Sequence, residues 1–263
     1  MPKSKTSKLW FFFPDIHIPE HDEAALEVAL RAHEKLKPDN TVFLGDVMDC
    51  GLFSAHSKRS IPESLAYDFK EKEIDPTQAL LDRAQKSTKG TTHYLCGNHE
   101  ERIQRWAANN GQIALSLYKM LDPCEFLSKG RKNFKIVPYS IPTGDRMGYV
   151  QVAPDLVAVH GWSFAKNAAR VHMDRSRSRS IIYGHTHRAQ SESGRDPWTG
   201  GPIKAWSPGC LSKLQPLYAV GGTPTDWSHG ISIVYVGRDS WTEYSISITN
   251  GSCVLPNGSE IKV

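Results

Sequence analysis

Residues 9–17 read LWFFFPDIH, and residues 41–49 read TVFLGDVMD. Each stretch opens with a continuously apolar run, as expected for a β-strand that is covered on both faces. Between them lie an acidic turn, alanines at helical spacing and two lysines before Pro38, which together predict a helix. The order strand, helix, strand predicts a right-handed crossover that makes the two strands parallel.

The remainder of the chain predicts strands that first alternate with helices and later follow one another. Further strands are predicted over residues 91–96, 134–137, 149–152, 156–159, 180–183, 231–236 and 244–248. Helices are predicted over residues 65–74, 101–108 and 112–121, and Asp75 and Pro76 suit the cap and first turn of another helix. This order predicts an α/β fold in which two sheets pack face to face, a β-sandwich flanked by helices.

No linker, composition break or internal repeat divides the 263 residues. We therefore predict a flexible basic tail over residues 1–8, then a single domain over residues 9–263 with a mainly helical insertion at about residues 52–90. The apolar run at residues 9–13 is too short to cross a bilayer, and the five cysteines form no Cys-x-x-Cys pair. These features predict a cytoplasmic protein with reduced thiols and no membrane partner. The net charge of +4 permits a polyanionic partner without requiring one, and the oligomeric state is not indicated.

Metal-binding residue types are concentrated in five short segments that each follow a predicted strand. These segments are DIH at residues 15–17, GDVMD at 45–49, GNHE at 97–100, VHG at 159–161 and GHTH at 184–187. Loops after the carboxyl ends of strands are where α/β folds bind ligands. Asp15 and His17 are two residues apart, so an extended backbone would point both side chains the same way. We expect the five segments to form one site.

The candidate ligands mix oxygen and nitrogen donors. Asp46 follows Gly45, where the missing side chain lets the backbone approach a ligand, and its carboxylate can bridge two ions. The seven candidates are Asp15, His17, Asp46, Asn98, His160, His185 and His187. Such a mixture suits Mn, Fe, Zn or Ni and disfavours an all-oxygen Mg or Ca cage.

Three neighbouring residues have competing interpretations. His99 is a candidate acid that faces the substrate. Asp49 is either a site carboxylate or the cap of a helix or turn. Glu100 opens the next predicted helix, and we interpret it as complementing the helix dipole rather than as catalytic.

The order and spelling of the five segments resemble the calcineurin-like metallophosphoesterase superfamily, and the resemblance spans Asp15 to His187. It implies a four-layer α/β/β/α architecture and two divalent metal ions, with Mn²⁺ expected and Fe, Zn, Ni or Mg as alternatives. One ion would take Asp15, His17, His187 and Asp46, and the other would take Asp46, Asn98, His160 and His185. A hydroxide held between the ions would attack phosphorus, His99 would protonate the leaving oxygen, and Asp49 would orient His99.

The residues around the predicted metal site indicate which class of substrate the protein binds. Cys50 stands where the protein Ser/Thr phosphatase branch of the superfamily has an Arg that grips a terminal phosphate. Five residues are candidates for substrate binding: Arg102, Arg170, Arg175, Arg188 and His229. Arginines would suit a nucleic-acid backbone, although a solvated basic face explains the run over residues 170–179 equally well. Four tryptophans could stack bases or pack in the core: Trp162, Trp198, Trp206 and Trp227.

We therefore predict a metal-dependent phosphoester hydrolase, and within that class a phosphodiesterase that acts on DNA, RNA or nucleotides. A phosphomonoesterase of the protein Ser/Thr phosphatase or dinucleotide-cleaving type is the first alternative, because it shares the GNHE segment. A non-catalytic scaffold that keeps a metal site is the second alternative. The complete set of ligand candidates and the presence of His99 argue against it.

Overall fold

The computed structural model describes residues 7–54, 60–140, 147–176, 178–216 and 224–263. Residues 1–6 of the predicted tail, and Arg177 of the arginine run, lie outside the described residues. The strands are β1 (Lys8–Phe13), β2 (Asn40–Phe43), β3 (Thr92–Leu95), β4 (Phe134–Val137), β5 (Val150–Ala153), β6 (Leu156–Val159), β7 (Ser180–Tyr183), β8 (Ala189–Arg195), β9 (Pro202–Pro208), β10 (Gly230–Val236), β11 (Trp241–Ser247), β12 (Ser252–Val254) and β13 (Glu260–Lys262).

The strands form two main sheets and a small hairpin. The first sheet has the order β11-β10-β1-β2-β3-β4, and the second has the order β5-β6-β7-β9-β8. β1 and β2 are parallel, with Trp10 opposite Asn40 and Phe13 opposite Phe43, which confirms the predicted parallel pairing. β2, β3 and β4 continue in parallel, and β6 is parallel to β7 in the second sheet. β12 and β13 pair only with each other among the described strands.

The helices are α1 (Glu23–Leu36), α2 (Ile61–Ala66), α3 (Asp75–Ser87), α4 (Glu101–Asn109), α5 (Gly111–Leu121), α6 (Pro123–Phe126) and α7 (Ala168–Arg175). A 3₁₀ turn at Gly51–Phe53 and a π-helical turn at Lys70–Ile74 complete the helical elements of the described residues. Within those residues, none of the helices combines the length and the apolar character needed to cross a lipid bilayer.

The region between β2 and β3 differs in detail from the prediction of one helix over residues 65–74. α2 ends at Ala66, and the π-helical turn runs directly into α3. The predicted cap at Asp75 is also wrong, because Ile74 precedes the helix in helical conformation. Lys70 Nζ instead donates to both Asp75 carboxylate oxygens at 2.7 and 2.6 Å. This ion pair draws the Asp75 side chain away from the backbone N–H groups that a cap would bind.

The side chains of β1 divide the core between two layers. Phe11 and Phe13 pack in a cluster that includes the inner faces of α1 and α3. Trp10 and Phe12 pack on the other side of the sheet, against Trp206 and other residues of the second sheet. α7 covers the remaining face of the second sheet through a third cluster. The order helices, sheet, sheet, helix is the predicted sandwich, since each sheet buries both of its faces.

Candidate metal centre

The two sheets bring all five predicted ligand segments to one edge. Residues 15–17, 45–49 and 97–100 follow β1, β2 and β3, which are parallel neighbours in the first sheet. Residues 159–161 and 184–187 follow β6 and β7, which are parallel neighbours in the second sheet. Parallel strands end at the same edge of a sheet. The segments therefore meet although 170 positions separate His17 from His187 in the chain.

Five of the ligand residues have a left-handed rather than an extended backbone. Positive φ values of 35°, 57°, 50°, 69° and 58° occur at Asp15, His17, Asp46, His185 and His187. The expectation of an extended backbone at residues 15–17 is therefore wrong. Non-glycine residues adopt this conformation at a cost of about 1–3 kcal/mol, and such residues concentrate at binding sites. Each turn aims a side chain into the same small volume, so the predicted proximity still results.

One group of side chains combines Asp15, His17 and His187, whose ligand atoms all lie within 4.8 Å of one another. The Nε2 atoms of His17 and His187 are 3.0 Å apart, and His187 Nε2 lies 3.6 Å from Asp15 Oδ1. All three residues are buried. The arrangement has the oxygen and nitrogen donors of a compact cation site.

A second group combines Asp46, His160 and His185. His160 Nε2 lies 3.3 Å from Asp46 Oδ2, 3.1 Å from His185 Nδ1 and 3.0 Å from Asn98 Oδ1. Asp46 Oδ2 is also 3.7 Å from His17 Nε2 in the first group. The Asp46 carboxylate thus lies between the two groups, where one side chain can serve both.

Burial and missing hydrogen-bond partners test whether these residues suit cations. Asp15 Oδ2 and His185 Nε2 are buried, and neither has a hydrogen-bond partner among the described residues. Burial raises the pKa of Asp15 to about 8 and lowers the pKa of His185 to about 3. Burial also holds the pKa of His187 well below its ordinary value, so the His185 and His187 imidazoles are neutral, as metal ligands must be. Burial lowers the pKa of His160 as well, but the neighbouring Asp46 carboxylate outweighs it and raises that pKa to about 9. A divalent cation would satisfy both unpartnered atoms and offset the charge that burial disfavours at Asp15. The residues fit a metal pair.

Two glycines permit the close approach of these segments. A Cβ atom at Gly45, where φ is +97°, would overlap the His160 ring. A Cβ atom at Gly97 would overlap the Asp46 carboxylate. His160 Nδ1 lies 2.8 Å from the Leu44 carbonyl, so its proton faces that oxygen and Nε2 turns toward Asp46. Glycine at both positions is therefore a packing requirement of the site.

His99, Asp49 and Arg102 form a contiguous group beside the two clusters. His99 Nδ1 lies 2.8 Å from the Asp49 carbonyl and 3.2 Å from Asp49 Oδ1. Arg102 donates through Nη1 to the same carbonyl at 2.8 Å, and its Nη2 lies 2.8 Å from His99 Nε2. Because a guanidinium only donates, His99 Nε2 accepts here and Nδ1 carries the proton toward Asp49. Among the described residues, Arg102 is the substrate-binding candidate that contacts His99 and Asp49.

Glu100 has a role that the helix-dipole interpretation missed. Its buried carboxylate accepts hydrogen bonds from the backbone N–H groups of Asp46, Val47 and Met48 at 3.1, 2.9 and 3.0 Å. It also accepts from Gly97 N at 2.7 Å and from the Tyr94 hydroxyl at 2.8 Å. One side chain therefore sets the conformation of the loop that carries Asp46. A charged residue directly after the GNH segment was the available sequence signal.

Replacing Glu100 with Gln is expected to destabilise the fold by about 2–3 kcal/mol and lower Tm by about 5–10 °C. In the wild-type protein both Glu100 oxygens accept hydrogen bonds from backbone N–H groups. In the variant an NH₂ group replaces one of these oxygens and faces N–H donors that it cannot bind. Thermal and urea unfolding measure the loss, and bound metal is counted in parallel. Glu71→Gln, at an exposed position of the π-helical turn, is the matched control and should leave Tm unchanged. Equal stability of the Glu100→Gln protein would contradict this role.

The other substrate-binding candidates lie at different positions. Arg170 pairs with Asp174 and Glu192 on exposed parts of α7 and β8, and Arg175 is exposed at the end of α7. In the described residues, neither arginine forms a hydrogen bond or ion pair with a ligand candidate. His229 Nε2 lies 2.8 Å from the Ser212 carbonyl, and Ser212 Oγ lies 3.5 Å from His187 Nδ1. His229 is therefore linked to His187 only through Ser212 among the described residues. The Arg188 guanidinium binds the carbonyl oxygens of Phe164 and Ala165 and the carboxylate of Asp226.

Sequence comparison now defines the family. Residues 11–189 match the family of calcineurin-like phosphoesterases. The chain belongs to this family. The match spans every segment that contributes to the two ligand groups, so the candidate metal centre of this calcineurin-like phosphoesterase lies within the matched residues. No curated protein matches the chain.

Solved structures resemble this calcineurin-like phosphoesterase at low sequence identity. Vacuolar protein sorting 29 from Cryptosporidium parvum is 14% identical, with 98% of this chain and 100% of that chain covered and a TM-score of 0.53. Zinc-complexed Vps29 from Entamoeba histolytica is 13% identical, with coverages of 97% and 98% and a TM-score of 0.46. The phosphoesterase YfcE from E. coli is 15% identical, with coverages of 97% and 99% and a TM-score of 0.42. The first of these comparisons supports the fold and nothing more specific.

Proposed function

We propose that this chain is a metal-dependent phosphodiesterase that acts on nucleic acid or nucleotides through two divalent metal ions, with Mn²⁺ as the expected metal. The single observation that carries the proposal is the Asp46 carboxylate, which lies within 3.7 Å of histidines from both ligand groups. When bound, two such ions lower the pKa of water and neutralise charge on the phosphoryl oxygens. The mixed oxygen and nitrogen donors favour a first-row transition metal.

The residues beside the metal groups have separate tasks in this proposal. His99 holds a proton at Nδ1 against the Asp49 carbonyl, and Asp49 keeps the ring in place. When a phosphoester enters, the Arg102 guanidinium leaves His99 Nε2 and binds a phosphoryl oxygen. His99 Nε2, released from Arg102, takes up a proton from solvent, and the resulting imidazolium delivers that proton to the leaving oxygen.

The charge available to the substrate favours a diester over a monoester. Cys50 is fully buried, so the position after Asp49 supplies no cation to a terminal phosphate. Arg102 alone among the described substrate-binding candidates lies beside His99. A diester carries one negative charge at neutral pH, whereas a monoester carries up to two. One guanidinium matches the diester, since a dianion is better held by additional bidentate contacts.

A comparison of substrates tests this proposal. With Mn²⁺ added, we expect faster turnover of bis(4-nitrophenyl) phosphate, single-stranded DNA or RNA than of 4-nitrophenyl phosphate, and loss of all turnover with a chelator. Faster hydrolysis of the monoester would identify a phosphomonoesterase instead. Bound metal without turnover of any substrate would identify a non-catalytic scaffold. Duplex DNA is included because its ratio to single-stranded DNA separates nuclease activity from general diester cleavage.

A further inference from the structure

Two aromatic rings lie against the ligand histidines of the last segment. The Phe164 ring centroid is 4.1 Å from that of His185, and the Trp227 ring centroid is 4.1 Å from that of His187. Phe164 is 73% exposed, although contact of an apolar ring with water is unfavourable. Trp227 is partly exposed. The two rings come from different loops, one after β6 and one before β10. They therefore border the metal centre from two separate loops.

Arg188 holds these two loops in place. Its Nη2 donates to the carbonyl oxygens of Phe164 and Ala165 at 3.1 and 2.7 Å, and its Nη1 pairs with Asp226 at 3.2 Å. The Arg188 side chain is only 14% exposed, as expected for a guanidinium committed to structural contacts. One cation thus joins the loop that carries Phe164 to the loop that carries Trp227.

Further hydrogen bonds fix each loop to the ligand segment. Gln190 Nε2 donates to the Lys166 carbonyl at 2.9 Å, which ties down the loop of Phe164. Ser228 N donates to the His187 carbonyl at 2.9 Å, and Ser228 Oγ accepts from Ala189 N at 2.9 Å. The rings are consequently preorganised, and little ordering is needed when a planar group stacks on them.

We infer that Phe164 and Trp227 are base-stacking residues that select single-stranded nucleic acid at the metal centre, with bases flanking the scissile phosphate. The inference rests on the proposed function. Aromatic side chains bind unpaired bases of any sequence through their π faces, whereas duplex bases are already stacked on each other. Arg188 then acts as a positioning residue, because its hydrogen bonds hold the two rings beside the site. The chemistry at phosphorus needs neither ring, so the effect is on binding.

Affinity measurements on two matched oligonucleotides test this inference. Fluorescence anisotropy compares a labelled twelve-residue oligothymidylate with an abasic strand of the same length, both with phosphorothioate linkages that slow cleavage, using full-length protein loaded with Mn²⁺. Wild-type protein should prefer the base-bearing strand roughly ten-fold or more. Phe164→Leu and Trp227→Leu, which keep apolar bulk beside the histidines, should each weaken oligothymidylate binding roughly ten-fold and leave abasic binding unchanged.

The control is Trp198→Leu, an 89% exposed tryptophan in the β8–β9 turn. It should alter neither affinity. Equal wild-type affinity for the two strands, including no binding to either, overturns the inference, as does an equal loss on both strands in the variants. If Trp227→Leu fails to fold, the exposed Phe164 position still decides the outcome. Hydrolysis of diesters without base preference would refute the stacking role alone, whereas base-selective binding with turnover of monoesters only would refute the proposed diesterase.

Discussion

Replacing Asp46 with Asn is expected to abolish two-metal occupancy and, with it, phosphoester hydrolysis. Asp46 Oδ1 accepts from His99 N at 2.9 Å, and Oδ2 faces His160 Nε2 at 3.3 Å and His17 Nε2 at 3.7 Å. Asn removes the negative charge and one of the two oxygens, so one position must present an N–H group. We expect a loss of metal affinity greater than the roughly 10–100-fold seen when only a supporting residue is removed.

Metal content per chain and turnover of a diester measure this effect together. Asp75→Asn is the matched control, since its carboxylate is exposed and pairs only with Lys70 among the described residues. That variant should keep wild-type metal content and activity. Two equivalents of tightly bound metal and normal turnover in the Asp46→Asn protein would rule out Asp46 as the bridging ligand.

Replacing His99 with Ala is expected to preserve both metals and to reduce turnover roughly 10²–10⁴-fold, the range for loss of a general acid. Metal binding should survive because Asp46 accepts from the backbone N–H of residue 99, which Ala retains. The loss should be largest for substrates with an alkoxide leaving group. A nitrophenolate leaves without protonation, so bis(4-nitrophenyl) phosphate should be affected least.

Turnover of a dinucleotide and of bis(4-nitrophenyl) phosphate, measured side by side with metal content, checks the role of His99. His93→Gln is the control, because His93 lies on β3 and stacks on Trp10 at 5.6 Å rather than facing the centre. Equal losses on both substrates would indicate that His99 positions the phosphate instead of protonating the leaving group. An unchanged rate on the dinucleotide would refute both roles.

The predictions from sequence agree best with the structure where a local residue pattern is compatible with a single arrangement of the backbone. The apolar run of β1 requires cover on both faces, and its alternate side chains indeed enter two different core clusters. The charge order and Pro38 predicted the helix α1, which ends at Leu36. A helix between two strands in turn predicted that β1 and β2 are parallel. The resemblance carried by the five segments then supplied the four-layer arrangement, which the structure confirms.

Residues 189–208 show where pattern reading fails. β8 reads AQSESGR, and it forms an edge of the second sheet that pairs only with β9 among the described strands. An edge strand needs no continuous apolar face, so it carried no signal of apolar periodicity. α7 also lacks a clear helical pattern in the sequence, because it lies within the arginine run and Ala169 and Met173 are among the few apolar residues of its buried face.

The amino-acid sequence was sufficient to predict the fold class and the seven candidate ligands, because strand patterns and the order of the segments are local features of the chain. Tertiary structure alone decided that Glu100 organises the Asp46 loop, that Arg102 reaches His99, and that Arg188 joins the loops of two aromatic rings. The Glu100 and Arg188 contacts are hydrogen bonds between segments distant in the chain, and Arg102 and His99 meet at the carbonyl of the distant Asp49. Such contacts follow from which strands are neighbours in each sheet, and no local pattern of residues encodes that order.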